Sequence, residues 1–232
     1  MISRNWIALV AASAAASGCI PPGKSSGSEH SGAAKVAASA PFEDRFTRSE
    51  LGPDWAPLRE GVWRVENGRL CGENARNQGV WLTKPLPTNA RIEFDAVSYS
   101  PEGDLKAELW GDGTTGANAV SYTNATSYLT IFGGWKNSLH VLARLNEHGA
   151  DRKEVRIDNA SEDVRQHGVT PGQTYRFKVE RADGKTVRWS VNGVELLSFV
   201  DDAPLTGAKH NRFGFNDWAA KVCFSNVRVT PL

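Results

Sequence analysis

From residue 42 onward, short stretches of alternating apolar and polar residues follow one another along the chain. Clear examples are residues 91–97, 105–110, 128–132 and 138–146. Successive side chains of a strand point to opposite faces, so each stretch predicts a half-buried β-strand. Turn-forming residues separate the stretches, and the Asp-Gly pair at 183–184 suits a tight hairpin. The pattern therefore predicts an all-β fold in which two antiparallel sheets pack as a sandwich.

The alternation also sorts the side chains of the four stretches into an apolar side and a polar or aromatic side. If the four strands belong to one sheet, their second sides form a single surface, which we call the predicted polar face. Its members are Glu93, Asp95, Glu108, Trp110, Tyr128, His140 and Arg144. Its opposite side, expected in the core, includes Leu129, Ile131, Leu139, Val141, Ala143 and Leu145.

The predicted polar face has two interpretations. Antiparallel sheets commonly keep one solvated face, so it is either an ordinary wet surface or a binding surface. Exposed aromatic side chains favour binding, because sugars are held by stacking aromatic rings and planar hydrogen-bonding groups. On that interpretation the ligand contacts are Trp110, Tyr128, Trp135, His140, Arg144 and Asn216. Trp218 is either a lid on this face or a core plug at the edge of the sandwich, and the plug is favoured.

The N-terminal residues have the features of an export signal. Residues 1–19 combine an early arginine, a short apolar run and small residues before Cys19. The end of this segment resembles a bacterial lipobox, although Ala16 stands where leucine is commonest. We expect a lipoprotein signal peptide, with Cys19 carrying palmitate-type acyl chains that anchor the protein in a membrane. Ordinary secretion with nearby cleavage is the alternative. Ile20, in place of aspartate, favours the outer membrane of a Gram-negative bacterium over retention in the inner membrane.

Residues 20–41 are rich in Ser, Gly, Ala and Pro and contain few large apolar side chains. Such a composition predicts a flexible tether, with one domain following at 42–232. Two cysteines remain beyond Cys19, namely Cys71 and Cys223. In an exported chain they form a disulfide or stay as two buried free thiols.

The formal net charge of the chain is +1, and lysine and arginine do not cluster. Nucleic-acid binding needs clustered positive charge, so we expect no nucleic-acid partner. The chain has eight tryptophans and 22 glycines, which suits a β-rich fold with many tight turns.

Several segments resemble the concanavalin A-like family of bacterial jelly rolls, which includes LamG-like domains and secreted 3-keto-disaccharide hydrolase-type domains. The segments are FEDRFTRSELGPDWAPLREGVWRVENGRL, RIEFDAV, YRFKVERADGKTVRWSVNGVELLSF and HNRFGFNDWAAKVCFSNVRV. The resemblance covers nearly all of residues 42–232. It implies a two-sheet antiparallel jelly-roll sandwich whose concave sheet carries a ligand, but such folds host lectins, glycanases and adhesion modules alike.

The sequence offers weak candidates for catalysis. Laminarinase-like β-glucanases carry E-x-D-x-E on one strand face, whereas this chain has Glu93, Asp95 and then Val97. Glu108 would have to replace the missing carboxylate for a glycoside hydrolase, which needs two carboxyl groups within about 5–10 Å. His140 and His148 are further acid-base candidates. The leading expectation is a non-enzymatic module that binds a glycan or envelope polysaccharide. A jelly-roll hydrolase and a ligand-free structural or adhesion module are the alternatives.

We expect no metal or other cofactor as the main interpretation. Calcium is the exception to consider, because it prefers oxygen ligands and LamG-like relatives often bind it. Its candidate ligands are Asp104, Asp112 and Asn118.

Overall fold

The computed structural model describes residues 41–232. The predicted signal peptide, the predicted lipid-bearing Cys19 and residues 20–40 of the predicted tether lie outside the described residues. None of the helical segments within residues 41–232 has the length and apolarity that a membrane crossing requires.

Fifteen strands and two short helical turns make up the regular structure of residues 41–232. The strands are β1 (Phe42–Asp44), β2 (Trp55–Pro57), β3 (Arg64–Glu66), β4 (Arg69–Gly72), β5 (Val80–Leu82), β6 (Ala90–Ser98), β7 (Leu105–Gly111), β8 (Tyr128–Gly133), β9 (Leu139–Arg144), β10 (Lys153–Arg156), β11 (Thr174–Arg181), β12 (Thr186–Val191), β13 (Val194–Val200), β14 (Arg212–Asn216) and β15 (Val222–Pro231). The helical turns are Gly134–Asn137 and Val164–Gln166.

The strands form two sheets. Sheet A has the order β13-β12-β11-β6-β15-β4-β3, and β1 pairs with the second half of β15. Sheet B has the order β10-β9-β8-β7-β14-β5-β2. Every strand pairing is antiparallel. The prediction of an all-β, two-sheet antiparallel sandwich is confirmed.

Aromatic rings fill the space between the inner faces of the two sheets. Phe215 of sheet B stacks on Phe224 of sheet A with 3.9 Å between ring centroids. Phe94 of sheet A meets Phe215 edge-on at 5.0 Å. Such pairs each contribute about 0.5–1.5 kcal/mol beyond the burial of their area. The aromatic contacts therefore hold the sheets face to face.

Much of the outer face of sheet B is also buried. The segment 112–127, between β7 and β8, lies across this face, and we call it the lid. Tyr122 and Ala125 of the lid belong to a second apolar cluster, separate from the main core. The sheet residues of this cluster are Leu129, Ile131, Val141 and Ala143. Sheet B is therefore apolar on both faces over much of its area.

Cys71 of β4 and Cys223 of β15 lie opposite each other in neighbouring strands and form a disulfide bond. The predicted disulfide is confirmed. It links residues 152 positions apart in sequence and so fastens the last strand to an early one.

Candidate functional site

The predicted polar face does not form, because its four strands lie in different sheets. Strand β6, which carries Glu93 and Asp95, lies in sheet A between β11 and β15. Strands β7, β8 and β9 lie in sheet B. The prediction of one shared face was wrong because alternation reports which side chains share a side of one strand and does not report which strands pair.

Glu93 and Asp95 belong to a charged outer surface on sheet A. Asp95 accepts hydrogen bonds from Arg176 Nε at 3.2 Å and from Asn226 Nδ2 at 2.7 Å. Glu93 lies opposite Arg228 in the strand pairing. Glu108 belongs to sheet B, so the three carboxyl groups do not share a cleft. The hydrolase interpretation that uses them together was wrong.

Trp110 is turned into the core by a β-bulge. In the pairing of β7 with β14, Arg212 lies opposite Gly111 and Phe213 opposite Leu109, so Trp110 is the extra residue. Its φ of 53° breaks the alternation, and its side chain is fully buried. The indole Nε1 donates to the carbonyl oxygen of Pro87 at 3.0 Å. The expectation of a ligand contact from Trp110 was wrong.

Tyr128 also lies in the core, and Arg144 lies at its margin. Tyr128 donates its hydroxyl proton to Asp201 Oδ2 at 2.6 Å, and Arg144 Nε donates to the same oxygen at 2.6 Å. Arg144 Nη2 donates to the carbonyl oxygen of Ala203 at 2.8 Å. These bonds tie β8 and β9 to the segment after β13. The placement of Tyr128 and Arg144 on an open binding face was therefore wrong.

His140 is a satisfied core histidine. It is fully buried and stacks on Phe132 with 4.2 Å between ring centroids. The Gly133 N–H donates to Nδ1, and Nε2 donates to the carbonyl oxygen of His167, each at 3.1 Å. Burial lowers the pKa of His140 to about 4, so the ring is neutral at physiological pH. The predicted ligand-binding and acid-base roles of His140 were wrong.

The faces of β8 and β9 are the reverse of those expected. Phe132 and Leu142 lie in the main core, whereas Leu129 and Val141 lie on the outer face under the lid. Ile131 and Ala143 also lie on the outer face. Both faces carry apolar residues, so hydrophobicity alone does not distinguish the inner face from the outer one.

Glu108 lies on the outer face of sheet B but is sealed beneath the lid. Its carboxylate accepts hydrogen bonds from Tyr122 Oη at 3.0 and 3.1 Å, from Ser127 Oγ at 2.7 Å and from Asn216 Nδ2 at 2.6 Å. Burial raises the pKa of Glu108 to about 7, although these hydrogen bonds act to lower it. Asn216 is fully buried and holds Glu108, so its prediction as a ligand contact was wrong.

Beyond the lid, the outer face of sheet B opens into a cleft of about 530 Å³. Lys106 of β7 and Ile131 of β8 lie at its floor. Trp135 and Trp218 line it, on segments that follow β8 and β14 respectively. Since β8 and β14 flank β7, the two indole rings lie on either side of the floor. This volume falls within the range of about 300–1,000 Å³ that is typical of small-molecule sites.

A buried lysine organises the floor of the cleft. Lys106 Nζ donates to Asn77 Oδ1 at 2.6 Å and to Glu147 Oε2 at 3.2 Å, and lies 4.0 Å from Asp104 Oδ1. Burial alone lowers the pKa of Lys106, but Asp104 and Glu147 raise it more, so the net shift is upward. The Tyr122 N–H donates to Glu147 Oε1 at 2.9 Å. The floor is therefore a paired and oriented set of charges.

Trp135 is presented by a strained turn. The φ angles of Trp135, Lys136 and Asn137 are 50°, 59° and 59°, which form a short left-handed segment. Asn137 stabilises it, since its Nδ2 donates to the carbonyl oxygen of Val169 and its Oδ1 accepts from the Val169 N–H, both at 2.8 Å. Strain of this kind is common at functional sites. Trp135 and Lys136 line the cleft, so the prediction that Trp135 contacts ligand stays a candidate.

Trp218 forms the other wall of the cleft, and its interpretation as a core plug was wrong. The Trp218 N–H donates to Asp104 Oδ2 at 2.6 Å. The guanidinium of Arg76 lies over the indole, 4.6 Å from the ring centroid. The preceding Asp217 is fully buried, and burial together with Asp104 raises the pKa of its carboxyl group to about 7.

The three calcium candidates serve separate local structures. Asp104 accepts from Trp218, as described above. Asp112 closes a turn in which its Oδ1 accepts from the N–H groups of Thr114 and Thr115, at 2.8 and 2.9 Å. The Asn118 N–H donates to Asn124 Oδ1 at 3.2 Å. Within residues 41–232, no group of three or more His, Cys, Asp or Glu side chains is arranged to hold a metal ion.

Comparison with known proteins identifies the fold. Sequence comparison matches the chain to no family model and to no curated protein. In structure, the chain is similar to the carbohydrate-binding module CBM66 of Bacillus subtilis, with a TM-score of 0.56 and 17% identity over 75% of this chain and 93% of that one. It is also similar to a β-glucanase of Bacillus licheniformis, with a TM-score of 0.59 and 12% identity over 84% and 99% of the two chains. A third similar structure is a β-1,3-1,4-glucanase (lichenase) derived from a mouse hindgut metagenome. Its TM-score is 0.57, with 10% identity over 84% of this chain and 100% of that one. The chain has the concanavalin A-like jelly-roll fold.

Within this jelly roll, the sequence pointed to part of the cleft only. Trp135, predicted as a ligand contact, lines the cleft, and Lys106 lies on the polar side that the alternation of residues 105–110 predicts. Strand alternation did not identify Glu147 or Arg76 as cleft residues, because they lie in irregular segments before β10 and before β5. His148, considered as an acid-base group, lines the cleft with Nε2 at 3.4 Å from Glu147 Oε1.

Proposed function

We propose that the jelly roll binds carbohydrate in the cleft between Trp135 and Trp218. The observation that carries this proposal is that both indoles are only half-buried and flank a floor of hydrogen-bonded polar groups. Most other tryptophans of the domain are fully packed, including Trp55, Trp110 and Trp189. Two partly exposed indoles beside one cavity form an aromatic surface of the kind that marks ligand-binding sites.

The chemistry of the cleft suits a sugar. A sugar ring has an apolar face of C–H groups that stacks on an indole, and hydroxyl groups that need donors and acceptors at its edge. The cleft has indole rings on its walls, and Asn77, Lys106 and Glu147 at its floor. A mostly apolar cavity with a few fixed polar groups is the usual form of a specific small-molecule site. The structural neighbours, which include a carbohydrate-binding module and β-glucanases, support the same class of ligand.

The test is a glycan array followed by titration of each retained glycan, with soluble products measured in parallel. Trp135→Ala and Trp218→Ala are each expected to weaken binding about tenfold or more, which corresponds to at least about 1.4 kcal/mol. Tyr99→Ala is the matched control, since Tyr99 is 48% exposed and lies outside the cleft. The proposal would be refuted if the wild-type domain bound no glycan, or if both tryptophan variants bound as well as wild type.

We further propose that this domain works at the cell envelope, anchored through lipid on Cys19. The support is the small-residue stretch before Cys19 and the Ser/Gly-rich composition of residues 20–41. On this proposal the partner is an envelope polysaccharide near the outer membrane. Cys19→Ser should move the protein from the membrane fraction to the soluble fraction and abolish labelling by palmitate. A wild-type protein that is already soluble and unlabelled would contradict it.

A further inference from the structure

The cleft ends at the lid. Val120 and Ser121 of the lid line it, and behind them Tyr122 is fully buried against Glu108. Strands β7 and β8 continue beneath the lid, but their outer face there is covered by packed side chains. The cleft therefore occupies one end of the outer face of sheet B and does not run the length of that face.

The lid is joined to the segments on both sides of the cleft. On one side, the Ala117 N–H donates to the carbonyl oxygen of Asn77 at 3.0 Å, and Gln78 Nε2 donates to the carbonyl oxygen of Ala117 at 2.8 Å. On the other side, the Glu147 N–H donates to the carbonyl oxygen of Tyr122 at 3.1 Å. These bonds make a continuous wall from the segment before β5, through the lid, to the segment after β9.

The flanking walls are fixed as well. The Arg76 N–H donates to the carbonyl oxygen of Trp218 at 2.9 Å, so the segment before β5 and the segment after β14 form one wall. Trp135 forms the opposite wall, with the Arg152 guanidinium 5.0 Å from its ring centroid. The rim opposite the lid carries Glu102 and Lys136, whose side chains are exposed. The cleft is thus closed on three sides and open towards this rim.

A pocket with one open side does not admit the middle of a polymer. An internal segment of a polysaccharide has a chain leaving it at both ends, so its site needs two exits. From the wall made by the lid and its two flanking segments, we infer that the cleft receives the end of a glycan chain and excludes internal segments. This inference rests on the proposed function, because it concerns the same cleft and takes its ligand to be a carbohydrate.

Partial hydrolysis of a polysaccharide tests this inference, because it raises the number of chain ends at constant sugar mass. The probe is the linear polysaccharide that retains the wild-type protein most strongly in the array experiment, before and after partial acid hydrolysis. The amount of protein bound at saturation, per milligram of sugar, is measured by sedimentation or calorimetry, and chain ends are counted by a reducing-end assay. The expected result is that bound protein rises in proportion to the number of chain ends.

The outcomes separate this inference from the proposed function. Saturation that stays constant or falls as chain ends increase would overturn recognition of chain ends, while binding itself would still support a carbohydrate site. Absence of retention by every glycan would overturn the proposed function and the inference with it. Trp135→Ala serves as the control, and it should lower binding to the intact and the hydrolysed polysaccharide alike.

Discussion

The left-handed turn that carries Trp135 predicts an unusual response to glycine. Lys136 has a φ of 59°, in a region where a residue other than glycine is strained by about 1–2 kcal/mol. Lys136→Gly removes this strain but increases the entropy of the unfolded chain, which opposes it by about 0.5–1 kcal/mol. Lys136→Ala keeps the strain and removes the same ammonium group. We expect the glycine variant to be more stable than the alanine variant by about 0.5–1 kcal/mol.

Thermal and urea unfolding of the two variants measure this difference. For a domain of this size, 1 kcal/mol shifts Tm by about 2–4 °C, so the glycine variant should melt about 1–4 °C higher. Both variants lack the lysine side chain, so loss of its charge cancels in the comparison. A glycine variant that is equal to or less stable than the alanine variant would refute the left-handed conformation of Lys136.

The same pair of variants connects the strain to binding. Glycine allows the turn more backbone conformations, so Trp135 should be held less firmly over the cleft and should lose more freedom on binding. We therefore expect Lys136→Gly to bind a retained glycan more weakly than Lys136→Ala, in spite of its higher stability. Equal affinities would show that Asn137, through its two bonds to Val169, positions the indole without help from the strained backbone.

Three further predictions concern buried groups. Burial lowers the pKa of His140 from 6.5 to about 4. The wild-type protein should therefore lose up to about 3 kcal/mol of unfolding free energy as pH falls from 6.5 to 4. A His140→Gln variant should lack this pH dependence in urea unfolding. Burial raises the pKa of Glu108 from 4.5 to about 7, so the contribution of Glu108 falls as pH rises through that window. Glu108→Gln should therefore gain up to about 3 kcal/mol relative to wild type between pH 4.5 and 8, and parallel pH profiles would contradict this. Reduction of the Cys71–Cys223 disulfide should lower stability by about 2–5 kcal/mol, and an unchanged melting temperature in reductant would contradict it.

The fold was predictable from the sequence because strand alternation and turn residues are local signals. The alternation in β6 is an example, since Ile92, Phe94 and Ala96 face the core as expected. The disulfide was predictable because two cysteines follow Cys19 and the N-terminal residues predict export. Strand pairing was not predictable in this way, because it depends on contacts between residues far apart in sequence. Placing β6 in one sheet with β7, β8 and β9 was the resulting error.

The candidate site was less predictable, because its outline depends on the lid. The assignment of faces in β8 and β9 assumed that an apolar side must face the sandwich core. The lid places a second apolar layer on the outer face, where Tyr122 and Ala125 cover Leu129 and Val141. When both faces of a sheet are covered, each of its strands carries apolar side chains on both sides. The end of the lid then determines which part of the outer face stays open. The alternation of residues in the strands does not indicate where the lid ends.

Trp110 and Trp135 show how backbone conformation decided which aromatic residues reach the cleft. Both have φ near +50°, and in both the positive φ interrupts the pattern that the surrounding residues predict. At Trp110 the interruption is a bulge, and it turns the indole inward beneath Arg181, whose guanidinium lies 4.0 Å from the ring centroid. At Trp135 it is a turn outside the sheet, and it turns the indole towards the cleft. An aromatic residue of this chain is thus a binding candidate only when its side chain stays partly exposed beside the open part of the sheet face. Trp135 and Trp218 meet that condition, which is why variants of these two residues test the proposed function most directly.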